Sequence, residues 1–350
     1  MFKKSPLAAC IKQNEDTYIL GYGTKQTIVD KNLFSDVSKI LFYLEQEKST
    51  DEIVNFLNQN NINNDVFELI ISQNLVTEWT DIFERTESID FKNKLYIETI
   101  FKNGPQITQE FSKTTFIIVG CGGIGNFISY SLSSYNPYKM ILVDGDIIEK
   151  SNLNRQFLFS NKDLGDYKTD VLKRELESIN PDLNISTKKS YINSKILEDI
   201  ILDEGNSNLF IILSGDSEGI VEDVTRVAVQ YEISFLNIGY LNDISIIGPF
   251  YIPHKTSCPY CADILVSNET DNDITKEINN TYSAPSSFIN NSFASSMATM
   301  DILHYFSGDF ENINSLNKRL GLSNSNFEKL HLDIKKNDGC GICGTKQTIN

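Results

Sequence analysis

The chain has 350 residues, of which 40% are hydrophobic. This is enough to bury a sizeable core in one large or two modest domains, which excludes a disordered chain. Its 31 basic and 47 acidic side chains give a net charge of −16, so neither nucleic acid nor an anionic membrane, both of which attract Lys and Arg, is expected as the main partner. The apolar runs are far shorter than the ~20 residues of a bilayer span, and the N-terminus has no signal-peptide pattern. We expect a cytoplasmic protein.

The first 80 residues are predicted to form a small domain that contains a hairpin and three short amphipathic helices. Strands are predicted at 17–23, 26–29 and 75–79. Three helices are predicted: one at 34–44, a second that opens at the capping box of Ser49 and Glu52, and a third at 65–74. Three helices with a hairpin indicate a winged-helix-like domain over residues 1–80. Its acidity favours a peptide over DNA as the ligand.

A polar connector is expected over residues 81–114, and residues 115–350 alternate between strands and helices. The nearly continuous apolar run at 116–119 is typical of a strand covered on both faces. The other predicted elements are helices at 124–134, 168–180 and 221–231, and strands at 140–143, 184–188, 209–213, 234–238 and, antiparallel, 245–252. The alternation predicts an α/β fold with a doubly wound, Rossmann-like, mostly parallel sheet. A polar loop is expected at 267–283.

A glycine-rich turn follows the strand at 116–119. Residues 120–125 read Gly-Cys-Gly-Gly-Ile-Gly, which fits the pattern G-x-G-x-x-G between a strand and a helix. Glycines let the backbone approach phosphates, and the start of the helix favours anions. Asp144 closes the next strand 19 residues after Gly125, where a carboxylate can bind ribose hydroxyls. The pattern indicates a nucleotide site, with a tight turn that binds no ligand as the alternative.

Charged and amide side chains further along suit a triphosphate better than the cofactor of a dehydrogenase. Asn152, Arg155 and Gln156 lie in the segment Ser-Asn-Leu-Asn-Arg-Gln, and Lys168 opens a helix 13 residues after Arg155. Arg and Lys stabilise the charge that accumulates on pyrophosphate as it leaves. Asp216 follows a predicted strand, at the edge where Mg²⁺ ligands gather in open α/β sheets. Each residue alone is more often a surface charge or a loop side chain, so the prediction depends on their order.

Four of the six cysteines form two Cys-x-x-Cys pairs, Cys258 with Cys261 and Cys340 with Cys343. In a reducing compartment this spacing indicates metal ligation. Four thiolates fill a tetrahedral zinc site and leave no open position, so a zinc ion here would be structural. Because 78 residues separate the pairs, the site would tie the C-terminus to the core. Two redox pairs or incidental cysteines are the alternatives.

Together these motifs resemble the ubiquitin-activating-like adenylyltransferase superfamily, which includes the sulfur-carrier activators of thiamine and molybdopterin synthesis. The resemblance rests on G-C-G-G-I-G-N, then D-G-D and S-N-L-N-R-Q, then Lys168, Asp216 and the paired cysteines. Within the superfamily, segments 239–244, 248–253 and 315–321 and the small domain in front look most like the microcin C-type peptide nucleotidylyltransferases. The resemblance covers nearly the whole chain and is weakest over residues 1–110.

The resemblance implies a role for each residue at a matching position. Asp144 would bind the ribose, and Asp216 would hold Mg²⁺. The nucleotide loop would be lined by four glycines, Gly120, Gly122, Gly123 and Gly125. The phosphates would be bound by Asn152, Arg155, Gln156 and Lys168, and catalysis would use Arg155, Lys168 and Asp216. A structural zinc would be bound by Cys258, Cys261, Cys340 and Cys343.

The function implied by the resemblance is activation of the C-terminal carboxylate of a small ribosomal peptide by ATP or CTP with Mg²⁺. In the microcin-type enzymes a C-terminal asparagine then closes a succinimide. The succinimide nitrogen attacks a second triphosphate, which gives the phosphoramidate-linked peptide nucleotide of a microcin C-like antibiotic. The N-terminal domain would hold the peptide and deliver it across a homodimer. The alternatives are a sulfur-carrier adenylyltransferase and a non-catalytic peptide-recognition protein.

The chain departs from the family pattern ahead of the glycine loop. The family carries R-x-x-R-Q/N there, with an arginine that reaches the partner subunit's site, whereas residues 90–94 read Asp-Phe-Lys-Asn-Lys. Lys92 or Lys94 would act as a point charge without the bidentate geometry of arginine. The loop at 267–283 contains no cysteine, which disfavours thioester transfer to a carrier protein.

Overall fold

The structure is a computed structural model that describes residues 1–78, 87–101, 104–205, 208–215, 217, 219–262 and 282–344. Asp216 and most of the loop expected at 267–283 lie outside these described residues. The chain divides into two compact units, Met1–Pro105 and Gln106–Asn350. None of the helices within the described ranges is long and apolar enough to cross a membrane.

The first unit combines short strands with helices. Its strands are β1 (Lys3–Lys4), β2 (Cys10–Lys12), β3 (Tyr18–Leu20), β4 (Thr27–Val29) and β5 (Val76–Thr77), and its helices are α1 (Lys31–Tyr43), α2 (Thr50–Gln59), α3 (Asn64–Ser72) and α4 (Phe91–Ile100). The predicted hairpin and three helices are confirmed, since β3 pairs antiparallel with β4 and a capping box between Ser49 and Glu52 opens α2. Sequence patterns missed β2, which adds a third strand to the hairpin. Of the strand predicted at 75–79, the structure describes residues 75–78, and there it has the two-residue β5, which pairs with β1.

One face of each of the first three helices forms the core of this unit. Val37, Ile40, Ile53, Leu57 and Ile70 are each at most 1% exposed. Full burial of such a side chain stabilises the fold by ~1.5–3 kcal/mol. The spacing is three residues between Val37 and Ile40 in α1 and four between Ile53 and Leu57 in α2, which is the helical period read from the sequence.

The second unit is built on an eight-stranded sheet. Its strands are β6 (Thr114–Val119), β7 (Lys139–Val143), β8 (Ile185–Lys188), β9 (Asn208–Leu213), β10 (Ser234–Leu241), β11 (Ile244–Tyr251), β12 (Lys318–Ser323) and β13 (Lys329–Asp333). The order is β13-β12-β11-β10-β9-β6-β7-β8. Strands β6 to β10 are parallel, and β11 to β13 extend the sheet antiparallel. The predicted α/β class with a mostly parallel sheet is confirmed, whereas β12 and β13 had no counterpart in the prediction.

Helices cover both faces of this sheet. From residue 104 onward the helices are α5 (Gly104–Phe111), α6 (Gly123–Ser133), α7 (Lys168–Ile179), α8 (Ser194–Glu204), α9 (Ile220–Gln230) and α10 (Phe288–Phe306). Ile117 and Val119 of β6 belong to one core cluster with Val224 of α9. Phe116, on the opposite face of β6, lies 5.8 Å from the ring of Phe306 in α10. All six residues of β6 are therefore buried, as expected for a strand inside a doubly wound sheet.

The parallel strands end together at one edge of the sheet. Val119, the last residue of β6, is in register with the last residues of β7 and β9. The chain therefore leaves these strands side by side, at Gly120, Asp144 and Ser214. The Gly120 amide donates to the Val143 carbonyl, and the Ser214 amide donates to the Val119 carbonyl, both at 2.9 Å. Open α/β sheets bind ligands at this carboxyl edge.

Candidate nucleotide site and metal centre

Two glycines of the turn are required by close backbone packing. Gly120 has a φ of +93°, and a Cβ there would lie 2.7 Å from the nitrogen of Gly215. A Cβ at Gly125 would lie 2.0 Å from the carbonyl oxygen of Gly120. The Ser214 hydroxyl donates to that same oxygen at 2.9 Å. Gly120 and Gly125 thus hold the turn against the end of β9.

The two central glycines have different surroundings. A Cβ at Gly123 would lie 2.7 Å from the side-chain amide of Asn291 in α10, so this glycine allows α6 and α10 to pack closely. Gly122 occupies the N-cap position of α6 and, as a glycine, offers no side chain to accept hydrogen bonds from the first-turn amides. Among the described residues, a Cβ at Gly122 would meet only the Nε2 of Gln156 within 4 Å, at 3.8 Å. The N-terminus of α6 is therefore open at Gly122.

Gln156 supplies a buried amide beside this helix terminus. It is 2% exposed, and its Oε1 has no hydrogen-bond partner among the described residues. Buried polar atoms in proteins nearly always have a partner, so an orphaned one points to a missing ligand or water. An uncapped helix N-terminus also favours an anion. Oε1 accepts hydrogen bonds, so its missing partner is a donor, whereas Nε2, which lies beside Gly122, is the donor suited to the predicted contact with a phosphate.

Asp144 connects the turn to the next strand. Its Oδ2 accepts a hydrogen bond from the amide of Cys121 at 2.7 Å, and its Oδ1 accepts one from the amide of Asp146 at 2.8 Å. Burial raises the pKa of Asp144 above its usual value, because a low dielectric disfavours the charged form. Each carboxylate oxygen keeps a further lone pair, so the geometry allows the predicted ribose contact.

Lys168 lines a cavity of about 320 Å³ together with Asn152. It opens α7, is 7% exposed, and donates from Nζ to the Oδ2 of Asp146 at 2.7 Å. Burial acts to raise the pKa of Asp146, but hydrogen bonds from Lys168 and Tyr191 hold that pKa below its usual value. The carboxylate is therefore ionised beside the Lys168 ammonium at neutral pH.

Asp146 and Tyr191 are site residues to which the sequence analysis assigned no role. The Tyr191 hydroxyl donates to the Oδ1 of Asp146 at 2.5 Å, and both residues line the cavity of Lys168. Asp146 is the last residue of the D-G-D triplet, and its place just after a strand was the available signal. Tyr191 belongs to no motif, so only the fold brings it to the site.

Asn152 and Arg155, the remaining predicted phosphate ligands, differ in their hydrogen-bond partners and in whether they line the cavity. Asn152 is 8% exposed and accepts a hydrogen bond at Oδ1 from the amide of Glu149 at 3.0 Å. Arg155 donates from Nη1 to the Ser151 carbonyl and to the Oδ1 of Asn154, both at 2.9 Å. Arg155 is absent from the described lining of the cavity. Its guanidinium would have to exchange these local partners for a phosphate.

The predicted Mg²⁺ ligand Asp216 lies outside the described residues. Its neighbour Gly215 packs its backbone against Gly120. The role of Asp216 therefore stays a prediction.

The four paired cysteines form one cluster. Their sulfur atoms all lie within 4.8 Å of one another. The separations are 3.7 Å for Cys258 and Cys340, 4.0 Å for Cys258 and Cys261, and 3.3 Å for Cys261 and Cys343. Zn–S bonds of about 2.3 Å place tetrahedral sulfurs about 3.8 Å apart, so the cluster fits a zinc ion, whereas a disulfide needs about 2.05 Å.

The clustered thiols shift one another's pKa values in opposite directions: hydrogen bonding to Cys343 raises the pKa of Cys258, and burial raises that of Cys261. Hydrogen bonds from the thiols of Cys258 and Cys261 lower the pKa of Cys343 to about 5. Zinc binds the thiolate form of cysteine. Three of the four cysteines are buried in the core cluster that contains Tyr251 and Ile334, so a bound zinc would join the segments that follow β11 and β13.

Lys92 and Lys94 of α4 differ in exposure. They are the two lysines that could replace the family arginine. Lys94 is 8% exposed, and its Nζ lies 3.2 Å from the Oδ2 of Asp90 at the N-cap position of the same helix. Lys92 is exposed, with its Nζ 5.5 Å from the ring centroid of Phe91. The ammonium of Lys94 is thus bound within its own unit.

Comparison with solved structures gives matches along almost the whole chain. E. coli MccB with MccA-N7isoASN superposes with a TM-score of 0.84 at 25% identity, over 98% of this chain and 99% of that chain. E. coli MccB with ATP superposes with a TM-score of 0.82, again at 25% identity and with 98% and 99% coverage.

Curated relatives match a shorter part of the chain. The ubiquitin-activating enzyme E1 1 of Candida albicans is 35% identical over 150 residues, which is 39% of this chain and 14% of that enzyme. The sulfur carrier protein ThiS adenylyltransferase of E. coli is 25% identical over 111 residues, which is 32% of this chain and 43% of that protein. The matches thus span less than half the length of these relatives.

The resemblance identified from the motifs is confirmed. The family model described as "ThiF family" matches residues 92–342, which is well over half of the 350 residues. The chain belongs to the ThiF family.

Proposed function

We propose that this protein is a peptide nucleotidylyltransferase, which uses a nucleoside triphosphate to activate the C-terminal carboxylate of a small peptide. The supporting observation is the end-to-end similarity to E. coli MccB, solved with MccA-N7isoASN and with ATP. The 25% identity extends over 98% of this chain, so it includes the N-terminal unit as well as the sheet that carries the glycine turn.

The first step joins the peptide to the nucleotide. A carboxylate oxygen of the peptide attacks the α-phosphorus, an acyl–phosphate bond forms, and the bond from that phosphorus to pyrophosphate breaks. The carboxylate is ionised at neutral pH, so the step needs no strong base. Charge grows on the leaving pyrophosphate, and an ammonium such as that of Lys168 stabilises this charge. The open N-terminus of α6 at Gly122 favours the phosphates in the same way.

Other groups of the site have supporting roles in this proposal. Asp144 accepts the ribose hydroxyl, Asn152 and Gln156 donate to phosphate oxygens, and Arg155 exchanges its local partners for the triphosphate. Mg²⁺, for which Asp216 is the predicted ligand, would neutralise phosphate charge when bound. A zinc ion held by the four cysteines would be structural, because four thiolates leave no coordination position open.

A second reaction follows if the peptide ends in asparagine. The side-chain amide nitrogen attacks the activated carbonyl, closes a succinimide and releases the nucleoside monophosphate. The succinimide nitrogen then attacks the α-phosphorus of a second triphosphate and releases pyrophosphate, which gives a phosphoramidate, as in microcin C-like antibiotics. The N-terminal unit binds the peptide, and a homodimer places Lys92 rather than the paired Lys94 near the partner subunit's site.

Sulfur-carrier activation is the alternative, since the E. coli ThiS adenylyltransferase matches 111 residues. That reaction adenylates the C-terminal glycine of a ubiquitin-like carrier. The two functions differ in the substrate that releases pyrophosphate, a short peptide ending in asparagine or a folded carrier ending in Gly-Gly.

The test is pyrophosphate release by the purified protein with ATP or CTP. A short peptide ending in asparagine should stimulate release, and the same peptide with an amidated C-terminus should not. Mass spectrometry of the peptide identifies the attached nucleotide. Lys168→Ala should abolish release, whereas Lys195→Ala, which removes an exposed lysine of α8, should not. Release that depends only on the Gly-Gly carrier would favour the alternative, and full activity of Lys168→Ala would refute the assigned site.

A further inference from the structure

We propose that Tyr191 is a positioning residue, whose hydroxyl orients the Asp146 carboxylate and thereby fixes the ammonium of Lys168 in the nucleotide cavity. The inference rests on the proposed function and adds a residue that belongs to none of the motifs.

Three separate elements meet at this contact. Asp146 follows β7, Tyr191 follows β8, and Lys168 opens α7. Strands β7 and β8 are neighbours in the sheet, so the segments that leave them lie side by side. The Lys168 amide also donates to the Asp146 carbonyl at 3.0 Å. Backbone and side-chain contacts thus join the same pair of residues.

The two oxygens of Asp146 have different partners. Oδ1 accepts from the Tyr191 hydroxyl at 2.5 Å, and Oδ2 accepts from the Lys168 Nζ at 2.7 Å. The Asp146 side chain is 44% exposed, so packing alone does not fix its rotation. A hydrogen bond to each oxygen fixes the plane of the carboxylate, in the way that groups behind a metal ligand orient it. Without the Tyr191 hydroxyl, the carboxylate and the ammonium bound to it are free to turn together.

The ring of Tyr191 packs against Gly145, the residue before Asp146. A Cβ at Gly145 would lie 2.9 Å from the Cδ2 of Tyr191, so the ring packs directly on the backbone there. This contact matters because Tyr191 is 62% exposed and has little other support. The hydrogen bond to Asp146 also raises the pKa of Tyr191, so the hydroxyl keeps its proton and remains a donor at neutral pH.

Two variants separate the hydroxyl from the ring. Tyr191→Phe removes only the donor, and Gly145→Ala displaces the ring. Tyr191→Phe should lower kcat for pyrophosphate release about three- to tenfold, as expected for the loss of one ordinary hydrogen bond at a largely exposed side chain, and leave the KM for the peptide unchanged. Gly145→Ala should lower kcat in the parent but have little further effect in the Tyr191→Phe background. Tyr138→Phe, at a tyrosine that is 55% exposed and absent from the described cavity lining, is the matched control.

A readout without turnover tests the same inference. The rate at which an amine-reactive reagent labels Lys168, followed by peptide mass spectrometry, should rise in Tyr191→Phe and stay at the parent rate in Tyr138→Phe. If the parent releases no pyrophosphate, the proposed function fails and the labelling rate alone decides the positioning role. If Tyr191→Phe equals the parent in both kcat and Lys168 labelling, Tyr191 does not position Lys168.

Discussion

The glycine turn allows folding and ligand binding to be tested separately. Gly125 approaches the backbone of Gly120, whereas Gly122 faces open space apart from Gln156. We therefore expect Gly125→Ala to destabilise the protein, and Gly122→Ala to weaken nucleotide binding without destabilising it.

The size of the Gly125 effect follows from the geometry. A Cβ at Gly125 would lie 2.0 Å from the Gly120 oxygen, and real Cβ atoms essentially never approach closer than 3.0 Å. The turn must therefore move by about 1 Å, and overpacking of this kind costs ~1–3 kcal/mol. The same movement strains the hydrogen bond from Ser214 to the Gly120 oxygen, which is worth ~0.5–1.5 kcal/mol. We expect a loss of about 2–4 kcal/mol in the free energy of unfolding, or about 5–15 °C in Tm for a unit of this size.

The assay is thermal unfolding together with calorimetric titration of ATP. Gly125→Ala should unfold at a lower temperature and bind ATP weakly. Gly122→Ala should keep the parent Tm but bind ATP at least tenfold more weakly, because its methyl group occupies the space in front of α6. Gly239→Ala is the control, since a Cβ there has no neighbour within 4 Å in the part of the chain that the structure describes. A Gly125→Ala variant with the Tm of the control, or a Gly122→Ala variant with parent affinity, would refute this assignment of roles.

Three further perturbations address other parts of the chain. Cys261→Ser should remove bound zinc, measured by metal analysis, and lower the Tm; equal zinc content in parent and variant would contradict the cluster. Asp163→Asn should lower the free energy of unfolding by about 1–3 kcal/mol at pH 7. Burial acts to raise the pKa of Asp163, but hydrogen bonds from Ser160 and Arg174 hold that pKa below its usual value, so these bonds favour the ionised carboxylate. That stabilisation is present above the unfolded pKa of ~3.9 and is lost as pH falls through the lower folded pKa. The difference in Tm between the parent and Asp163→Asn should therefore shrink between pH 6 and pH 3. A difference that stays constant over this range would contradict the role of Asp163. Lys94→Ala should lower stability by about 1–3 kcal/mol, because Asp90 loses its charged partner but keeps the hydrogen bond from Ser88, and Lys92→Ala should leave stability unchanged; the reverse order in a urea titration would contradict the burial of Lys94.

Local sequence signals were sufficient for the parts of the fold that depend on local physics. The four apolar residues at 116–119 of β6 and the glycine turn after them identify a buried parallel strand and a helix N-terminus, because both features are set by a few adjacent residues. The capping box at Ser49 was found for the same reason. The two cysteine pairs predicted one cluster although 78 residues separate them, because thiolate spacing reflects the geometry of the metal rather than that of the fold.

Local sequence signals could not predict contacts between distant segments. Strand β13 is exposed at all five residues, so it has no alternation of buried and exposed positions by which to recognise it. Helix α8 received no prediction, although Leu197, Ile200 and Ile201 on one face are buried. The hydrogen bond between Tyr191 and Asp146 joins residues 45 positions apart, and no spacing rule links them.

The charges around the cavity lead to a prediction about the metal requirement. Lys168 is the one cation among the described residues that line the cavity, and Asp146 and Glu149 line it as well. Asp146 already neutralises the Lys168 ammonium at 2.7 Å, so a triphosphate would meet a site without net positive charge. The negative charge of the triphosphate disfavours its entry unless a cation accompanies it.

We therefore expect ATP binding to depend on a divalent cation, with an affinity at least tenfold lower in EDTA than in Mg²⁺. Asp146→Asn should reduce this dependence because it removes one negative charge, whereas Lys195→Ala should leave it unchanged. Equal affinity in EDTA and Mg²⁺ would show that cations beyond this cavity, such as a rearranged Arg155, compensate for the phosphate charge.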